Sequence, residues 1–152
     1  MTHFWNNPEA TAERIIDGWI KTGDIGRIDS NGYLYVVDRA DDMIISGGYN
    51  IWPSELEQVI AHHSEIVDVA VFGIPRPKWG EAPLALCVVR PGHQVTDAAI
   101  IDLVCAELGS YKKPAQVVFQ TEPLIRSPVG KIMRKAMRES YWASYQSRVA
   151  GS

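Results

Sequence analysis

A short, mostly polar run at positions 38–42 divides this chain of 152 residues into two parts with different patterns. The part before it is rich in short strand and turn signals, whereas the part after it alternates strand patterns with helix patterns. A few short strands alone are marginally stable in water, so the first part is too small to fold by itself. We therefore expect residues 1–40 to be an appendage and residues 41–152 to be a domain with its own core.

The first part carries one helix signal and one hairpin signal. Asn7 is placed to cap a short helix with Pro8 at its first position, and Gly18 is expected to end that helix. An Asn-Gly pair at 31–32 separates two alternating runs, which predicts a β-hairpin over residues 25–37. The appendage should therefore be rich in β-structure.

The second part predicts a small α+β domain. Strand patterns occur at residues 43–46, 67–74, 82–89 and 115–120. Helix signals begin at Pro53, where Ser54 and Glu57 have the spacing of a capping box, at Thr96, and at Lys131. The order strand, helix, strand, strand, helix, strand, helix indicates a short mixed sheet flanked by helices.

Composition argues against several classes of function. The formal net charge of -3 gives no overall field that would recruit nucleic acid or an anionic membrane. The N-terminus lacks the pattern of a signal peptide and no apolar run is long enough to span a bilayer, so we expect a cytoplasmic protein without a stable membrane anchor. Basic residues near the C-terminus form either an anion site or a solvated helix face. Cys87 and Cys105 lie in apolar stretches, which predicts buried thiols.

Four short features are candidates for a binding site, and each also has an ordinary structural explanation. Asp24 would accept hydrogen bonds from a ribose diol, or be a common turn aspartate. Gly47 and Gly48 would let a ligand pass close to the backbone, or only provide positive φ in a turn. Trp79 would be a ligand wall, or cover the edge of a core. Lys131 would reach a phosphate or carboxylate, or point into solvent.

Three longer segments together resemble successive signatures of the adenylate-forming superfamily, which includes acyl-CoA and aryl-CoA synthetases, peptide-synthetase adenylation domains and beetle luciferases. The segments are GWIKTGD at 18–24, VDRADDMIISGGYNIWPSELE at 37–57, and PLIRSPVGK at 123–131. The resemblance extends to about residue 140. It implies that residues 1–40 are a stub of the large N-terminal AMP-binding domain and that residues 41–152 are the C-terminal lid domain of an acyl-CoA synthetase.

The resemblance also implies roles for single residues in the first half-reaction. In the family, an acid and ATP give an acyl-adenylate and pyrophosphate, after which the lid swings and a thiol displaces AMP. Asp24 would bind the ribose hydroxyls, Arg39 would contact the same nucleotide, and Asp41 would be the hinge. Lys131 would bridge the acid and the α-phosphate as negative charge develops between them.

A second set of residues would face CoA after the swing. Gly47 and Gly48 would meet the pantetheine arm, and Trp79 matches an aromatic position that lines the pantetheine tunnel in some aryl-CoA ligases. Tyr111 and Lys112 would lie near the nucleotide of CoA.

The resemblance leaves the acid and the completeness of the enzyme open. The phosphate-binding loop and the acyl pocket of the family belong to the N-terminal domain and are not in this sequence. The carboxylic acid, ATP with Mg²⁺, and CoA would thus be substrates of a longer enzyme, and the isolated chain, without metal ligands, should adenylate no acid. Asn50 stands where peptide-synthetase modules usually have Arg, which favours CoA as acceptor. The alternatives are a domain that loads a carrier protein, and a stand-alone module that binds CoA or a separate partner.

Overall fold

The computed structural model of the chain describes residues 1–143 and residue 145. Their contacts divide the chain into two compact units, of which the first is Met1–Ala40 and the second begins at Asp41. The division falls within the polar run at which the sequence pattern changes. Across the described residues, no helix combines the length and the apolar character that crossing a bilayer requires.

The first unit opens with helix α1, Pro8–Arg14. Asn7 caps it, as the sequence predicts, because its side-chain oxygen accepts a hydrogen bond of 2.9 Å from the backbone N–H of Ala10. The helix ends four residues before Gly18, so the prediction that Gly18 ends it is wrong.

Gly18 instead forms a tight turn between two very short strands. Strand β1 (Ile15–Ile16) pairs antiparallel with β2 (Trp19–Ile20). The two turn residues, Asp17 and Gly18, have φ of 51° and 81°. Asp-Gly is a preferred pair for a two-residue hairpin turn that requires positive φ at both positions, and the start of β1 is what stops the helix.

The predicted hairpin is confirmed as β3 (Asp24–Ile28) and β4 (Leu34–Arg39), which pair antiparallel. Asp29 organises the turn between them. Its carboxylate accepts hydrogen bonds of 3.0 Å from the Tyr33 N–H and of 3.0 Å from the Tyr35 hydroxyl. These bonds, first of all the one from the Tyr33 backbone, hold the pKa of Asp29 below its usual value.

The second unit is built on a mixed sheet of five strands. They are β5 (Ile44–Ser46), β6 (Tyr49–Ile51), β7 (Ile66–Arg76), β8 (Gly80–Val89) and β9 (Gln116–Gln120). Strand β8 is central. It pairs antiparallel with β7 along its whole length, while its other edge pairs antiparallel with β5 at Gly80 and parallel with β9 from Leu84 to Val88. Strand β6 continues from β5 as an antiparallel hairpin.

Three helices cover the two faces of this sheet: α2 (Pro53–Ile60), α3 (Asp97–Leu108) and α4 (Arg134–Trp142). Successive residues of β7 point to opposite faces. Val69 and Val71 belong to a buried cluster with apolar residues of α2 and α3, whereas Ala70 and Phe72 belong to a second cluster that includes Met137 of α4. The predicted α+β class, a small mixed sheet with flanking helices, is confirmed.

The predicted capping box of α2 is wrong. The N-cap residue is Trp52, and no side chain caps the helix there, so Ser54 already lies inside the first turn. The Glu57 carboxylate faces the sheet instead and accepts a hydrogen bond of 2.8 Å from the Val71 N–H. A tertiary contact has therefore taken the carboxylate that the local pattern assigned to the helix start.

The two cysteines are free thiols, one fully buried and one half-buried. Burial raises the pKa of Cys87 to about 12, with a smaller contribution from the negative charge of Asp97. Cys87 is thus a protonated member of the core at neutral pH. The prediction of buried thiols is confirmed for Cys87, while Cys105 on α3 is only partly covered.

Candidate functional sites

Lys131 lies in a tight loop and not at the start of a helix. Arg126 and Ile132 pair as an isolated antiparallel bridge, and Ser127 closes the loop between them. The Ser127 N–H donates to the Lys131 carbonyl at 2.8 Å, and the Lys131 N–H donates to the Ser127 hydroxyl at 3.2 Å. The prediction that Lys131 begins a helix is wrong, because α4 starts at Arg134. The backbone at Lys131 is fixed while the residue itself is exposed.

Two arginines of α4 hold the segment at the start of the second unit. The guanidinium of Arg134 donates to both oxygens of Glu57, at 2.9 and 2.5 Å, and to Asp42 at 3.1 Å. Arg138 donates to the Asp42 carboxylate at 3.5 Å and to the Asp41 carbonyl at 3.4 Å. The four charged side chains are only 12–18% exposed. A forked guanidinium that bridges two carboxylates fixes geometry as well as charge.

An apolar cavity of about 250 Å³ lies within the second unit. Gly47, Trp79 and Tyr111, three of the residues predicted to meet CoA, line it together with Tyr49 and Lys113. The rings of Tyr49 and Tyr111 are 5.2 Å apart between centroids. Aromatic and backbone walls with a lysine in the lining suit a slender, mostly apolar ligand that carries a polar or anionic group.

The Gly47-Gly48 pair forms the turn between β5 and β6. The next element after the pair is the strand Tyr49–Ile51, and helix α2 begins only at Pro53. Both glycines have positive φ, 56° and 87°. A Cβ on Gly47 would lie 2.7 Å from an atom of the Trp79 ring, whereas one on Gly48 would meet nothing within 4 Å. Gly47 is therefore required for the contact with Trp79, and Gly48 for the turn alone.

The adjacent lysines 112 and 113 have different surroundings. Lys112 forms an ion pair of 2.5 Å with Glu55 and its side chain is only 13% exposed. Burial by itself would lower the pKa of Lys112, but the hydrogen bond and charge of Glu55, with a smaller effect of Tyr111, raise it above its usual value. Lys113, which the sequence analysis did not select, lines the cavity. Two neighbouring lysines offer no sequence signal for which of them faces a ligand.

The two residues predicted to bind a nucleotide are neighbours in the first unit. Asp24 and Arg39 are paired in the register of the β3–β4 hairpin, and their side chains form an ion pair of 3.0 Å. The Thr22 hydroxyl accepts a hydrogen bond of 3.1 Å from the Asp24 N–H, which fixes the turn before the strand. At this one place the partly exposed carboxylate can accept a hydrogen bond from a hydroxyl, while the neighbouring guanidinium can donate to a phosphate or carbonyl.

Asp41, the predicted hinge, lies in a short 3₁₀ turn, Ala40–Asp42. The residue is exposed and is the first of the second unit. Its carbonyl accepts a hydrogen bond from Arg138, as described above, so this position is anchored to α4 of the second unit. Within the described residues, no group of three or more His, Cys, Asp and Glu side chains is placed to hold a metal ion.

The comparisons with known proteins agree on one family. The model of the AMP-binding enzyme C-terminal domain matches residues 55–131, just over half of the chain. The long-chain-fatty-acid–CoA ligase FadD13 of Mycobacterium tuberculosis is 44% identical over 144 residues, which are 95% of this chain and 28% of that enzyme. The fatty acid–[acyl-carrier-protein] ligase ScoC of Streptomyces coeruleorubidus is 36% identical over 98% of this chain and 28% of its own length.

A solved structure supports the same assignment. ATP-bound MatB from Rhodopseudomonas palustris superposes with a TM-score of 0.85 at 32% identity, over 95% of this chain and 29% of that one. The chain thus spans less than a third of the length of these relatives.

Proposed function

The chain belongs to the family of AMP-binding enzyme C-terminal domains, and from this we propose that it is the lid region of an ATP-dependent acyl-CoA ligase. That enzyme would form an acyl-adenylate from a carboxylic acid and ATP, and then an acyl-CoA thioester. Residues 1–40 would be the last strands of its N-terminal domain, and the rest of that domain would be the necessary partner of this chain. Mg²⁺ would enter with ATP as part of the substrate.

The observation that carries this proposal is the loop of Lys131. Attack of a carboxylate on the α-phosphate brings two anions together, and a cation placed between them stabilises the transition state more than the separate reactants. A lysine acts there as a point charge with three donors. Lys131 is exposed and its backbone is held by hydrogen bonds, which suits that task. It is the last residue of the segment that the family model matches.

The ion pair of Asp24 and Arg39 supports a nucleotide site. We assign the Asp24 carboxylate to the ribose hydroxyls, which are donors that a carboxylate accepts well, and Arg39 to the same nucleotide. The bond between the two residues would pre-orient both side chains before ATP arrives.

The cavity of the second unit supports CoA as the acceptor. Its apolar walls at Gly47, Trp79 and Tyr111 suit the pantetheine arm, and Lys113 would attract a phosphate of CoA. Gly48 would serve as the turn that allows the close approach at Gly47. Lys112, held by Glu55, would contribute by fixing the segment that carries Tyr111 and Lys113.

The hinge proposal follows from the position of Asp41. A lid that presents Lys131 for adenylation and the cavity for thioester formation must rotate between the two steps, and such rotations use a few residues at the ends of elements. Asp41 lies at the start of the second unit, where Arg134 and Arg138 tie the following residue to the body of the lid.

The test is to assay the ligase that contains this chain, with its upstream residues, against a panel of carboxylic acids with ATP and Mg²⁺. We expect release of pyrophosphate and, with CoA added, an acyl-CoA. The 152-residue chain alone should release none. A product formed only with a carrier-protein thiol would mean that the acceptor is an acyl-carrier protein, as in the name of ScoC, and not CoA. Tight binding of CoA by the isolated chain, without any adenylation by the longer protein, would favour a stand-alone binding module.

A further inference from the structure

We propose that Arg126 is a positioning residue that fixes the loop of Lys131 for adenylation, an inference that rests on the role proposed above for Lys131. Arg126 would touch no substrate. It would act by holding the peptide group from which the lysine projects.

The guanidinium of Arg126 forks between two distant parts of the second unit. One nitrogen, Nη2, forms an ion pair of 2.5 Å with the carboxylate of Asp68 on β7. The other, Nη1, donates a hydrogen bond of 2.8 Å to the carbonyl of Gly130. The side chain of Arg126 thereby attaches the loop to the sheet, whereas the backbone hydrogen bonds found for the loop among the described residues join it to itself and to neighbouring chain segments.

The anchor at Asp68 is itself fixed. Its other carboxylate oxygen accepts a hydrogen bond of 3.0 Å from the Val69 N–H. Asp68 also lies next to the irregularity in the pairing of β7 with β8. Irregularities of this kind re-aim side chains at the end of a sheet. Arg126 therefore pairs with a carboxylate whose orientation is set by the sheet.

The carbonyl of Gly130 belongs to the same planar peptide group as the N–H of Lys131. A bond that holds this carbonyl therefore also holds the direction in which the lysine leaves the loop. Gly130 has φ of 81°, in the left-handed region that favours glycine. Glycine also adopts negative φ about as readily, so the residue alone does not fix the backbone here. Arg126 restricts the freedom that the glycine introduces immediately before the reactive lysine.

The ion pair of Arg126 and Asp68 is more exposed than the ion pair of Arg134 and Glu57. The side chains of Arg126 and Asp68 are 42% and 27% exposed, against 15% and 14% for Arg134 and Glu57. Exposed ion pairs contribute little to global stability. Loss of the Arg126 contacts should thus loosen the loop and leave the fold intact.

The first experiment uses the 152-residue chain and does not depend on any catalytic role. Hydrogen exchange of single amides is measured in the wild type, in Arg126→Gln and in Asp68→Asn. We expect the Lys131 amide to exchange about tenfold faster in both variants, the ratio for loss of one charge-assisted hydrogen bond, with β7 and β8 unchanged. Arg90→Gln is the matched control, because Arg90 also donates to a loop carbonyl, that of Ser64 at 3.4 Å. Unchanged exchange at Lys131, or equal acceleration of all amides, would overturn the inference.

The second experiment uses the longer ligase and separates the two half-reactions. In Arg126→Gln, kcat of adenylation should fall about tenfold or more, because displacement of a reacting group by about 1 Å has effects of that order. Thioester formation from supplied acyl-adenylate should stay unchanged, Arg126→Lys should recover part of the loss, and Arg90→Gln should match wild type.

Lys131→Ala in the same enzyme separates the proposed role of Lys131 from that of Arg126. If Lys131→Ala adenylates normally, the proposed function of the lysine fails, and hydrogen exchange still decides whether Arg126 holds the loop. If Lys131→Ala is inactive in adenylation while Arg126→Gln is fully active, or if Arg126→Gln slows both half-reactions equally, Arg126 is not a positioning residue.

Discussion

The two units of the chain differ in whether they bury their apolar side chains. Every buried apolar side chain among the described residues lies in the second unit. In the first unit, all of which the structure describes, the one buried residue is the polar Asp38. Most of its large apolar side chains are exposed, with Trp5 at 92%, Trp19 at 81% and Leu34 at 67%.

This difference shows which part of the chain has the means to fold. The second unit covers both faces of its sheet with helices, and the hydrophobic effect then stabilises it as a unit. The first unit is held by ladders of backbone hydrogen bonds and turn contacts, which give marginal stability in water. Its exposed apolar surface is of the kind that another body covers, in agreement with the proposal that it is the stub of a larger domain.

Dividing the chain between residues 40 and 41 should have the largest effect on cooperative folding. We expect residues 41–152 alone to unfold in a single cooperative transition in denaturant, followed by circular dichroism, and residues 1–40 alone to show none. The reason is that only the second unit buries an apolar core. A cooperative transition in the short fragment, or its loss in the long one, would break the comparison.

Truncating one aromatic side chain in each unit sharpens the comparison. Phe72 is 1% exposed and Trp19 is 81% exposed. Phe72→Ala should lower the free energy of unfolding by about 3–5 kcal/mol through lost burial and a cavity. Trp19→Ala, its matched control, should change it by no more than about 0.5 kcal/mol. Similar losses in the two variants, measured by denaturant titration of the full chain, would mean that both units share one core.

Removing the guanidinium of Arg134 should lower the free energy of unfolding somewhat less than Phe72→Ala does. Arg134→Met leaves the carboxylates of Glu57 and Asp42 without this partner in a mostly buried place, and we expect a loss of about 3 kcal/mol, since partial exposure discounts the penalty of a fully buried pair. Lys135→Met, on the same helix but exposed, is the control and should be near neutral. If both variants melt like wild type, the cluster contributes nothing to the stability of the second unit.

The smallest effect distinguishes two adjacent glycines. Gly47→Ala and Gly48→Ala both place a side chain at positive φ, at a cost of about 1–2 kcal/mol each. Only Gly47→Ala also collides with Trp79, so it should be the less stable of the two and should alone change tryptophan fluorescence. Equal behaviour of the two variants would show that the tight packing of the second unit does not extend to the cavity.

Much of the fold was accessible from the sequence because its signals are local. The caps at Asn7 and Thr96, the hairpin around Gly32 and the apolar runs of β7 and β8 each depend on neighbouring residues. The failure at Glu57 has a tertiary cause. Glu57 was expected to cap its own helix, yet it pairs with Arg134, 77 residues away.

The same limit applies to the candidate sites. The segments of Asp24 and Lys131 could be selected by resemblance, and the register of one hairpin then brings Asp24 beside Arg39. No local pattern could assign Lys113 to the cavity, because its neighbour Lys112 is drawn aside by Glu55, 57 residues earlier in the chain. The anchoring of the Lys131 loop by Arg126 depends equally on Asp68, 58 residues away.

We propose that the second unit delivers Lys131 for adenylation and not for thioester formation. The most direct test is Lys131→Ala in the ligase that contains this chain, with each half-reaction measured separately. We predict that release of pyrophosphate falls by about a hundredfold or more, while thioester formation from supplied acyl-adenylate stays within about twofold of wild type. Equal loss in both half-reactions, or unchanged adenylation, would contradict the assignment.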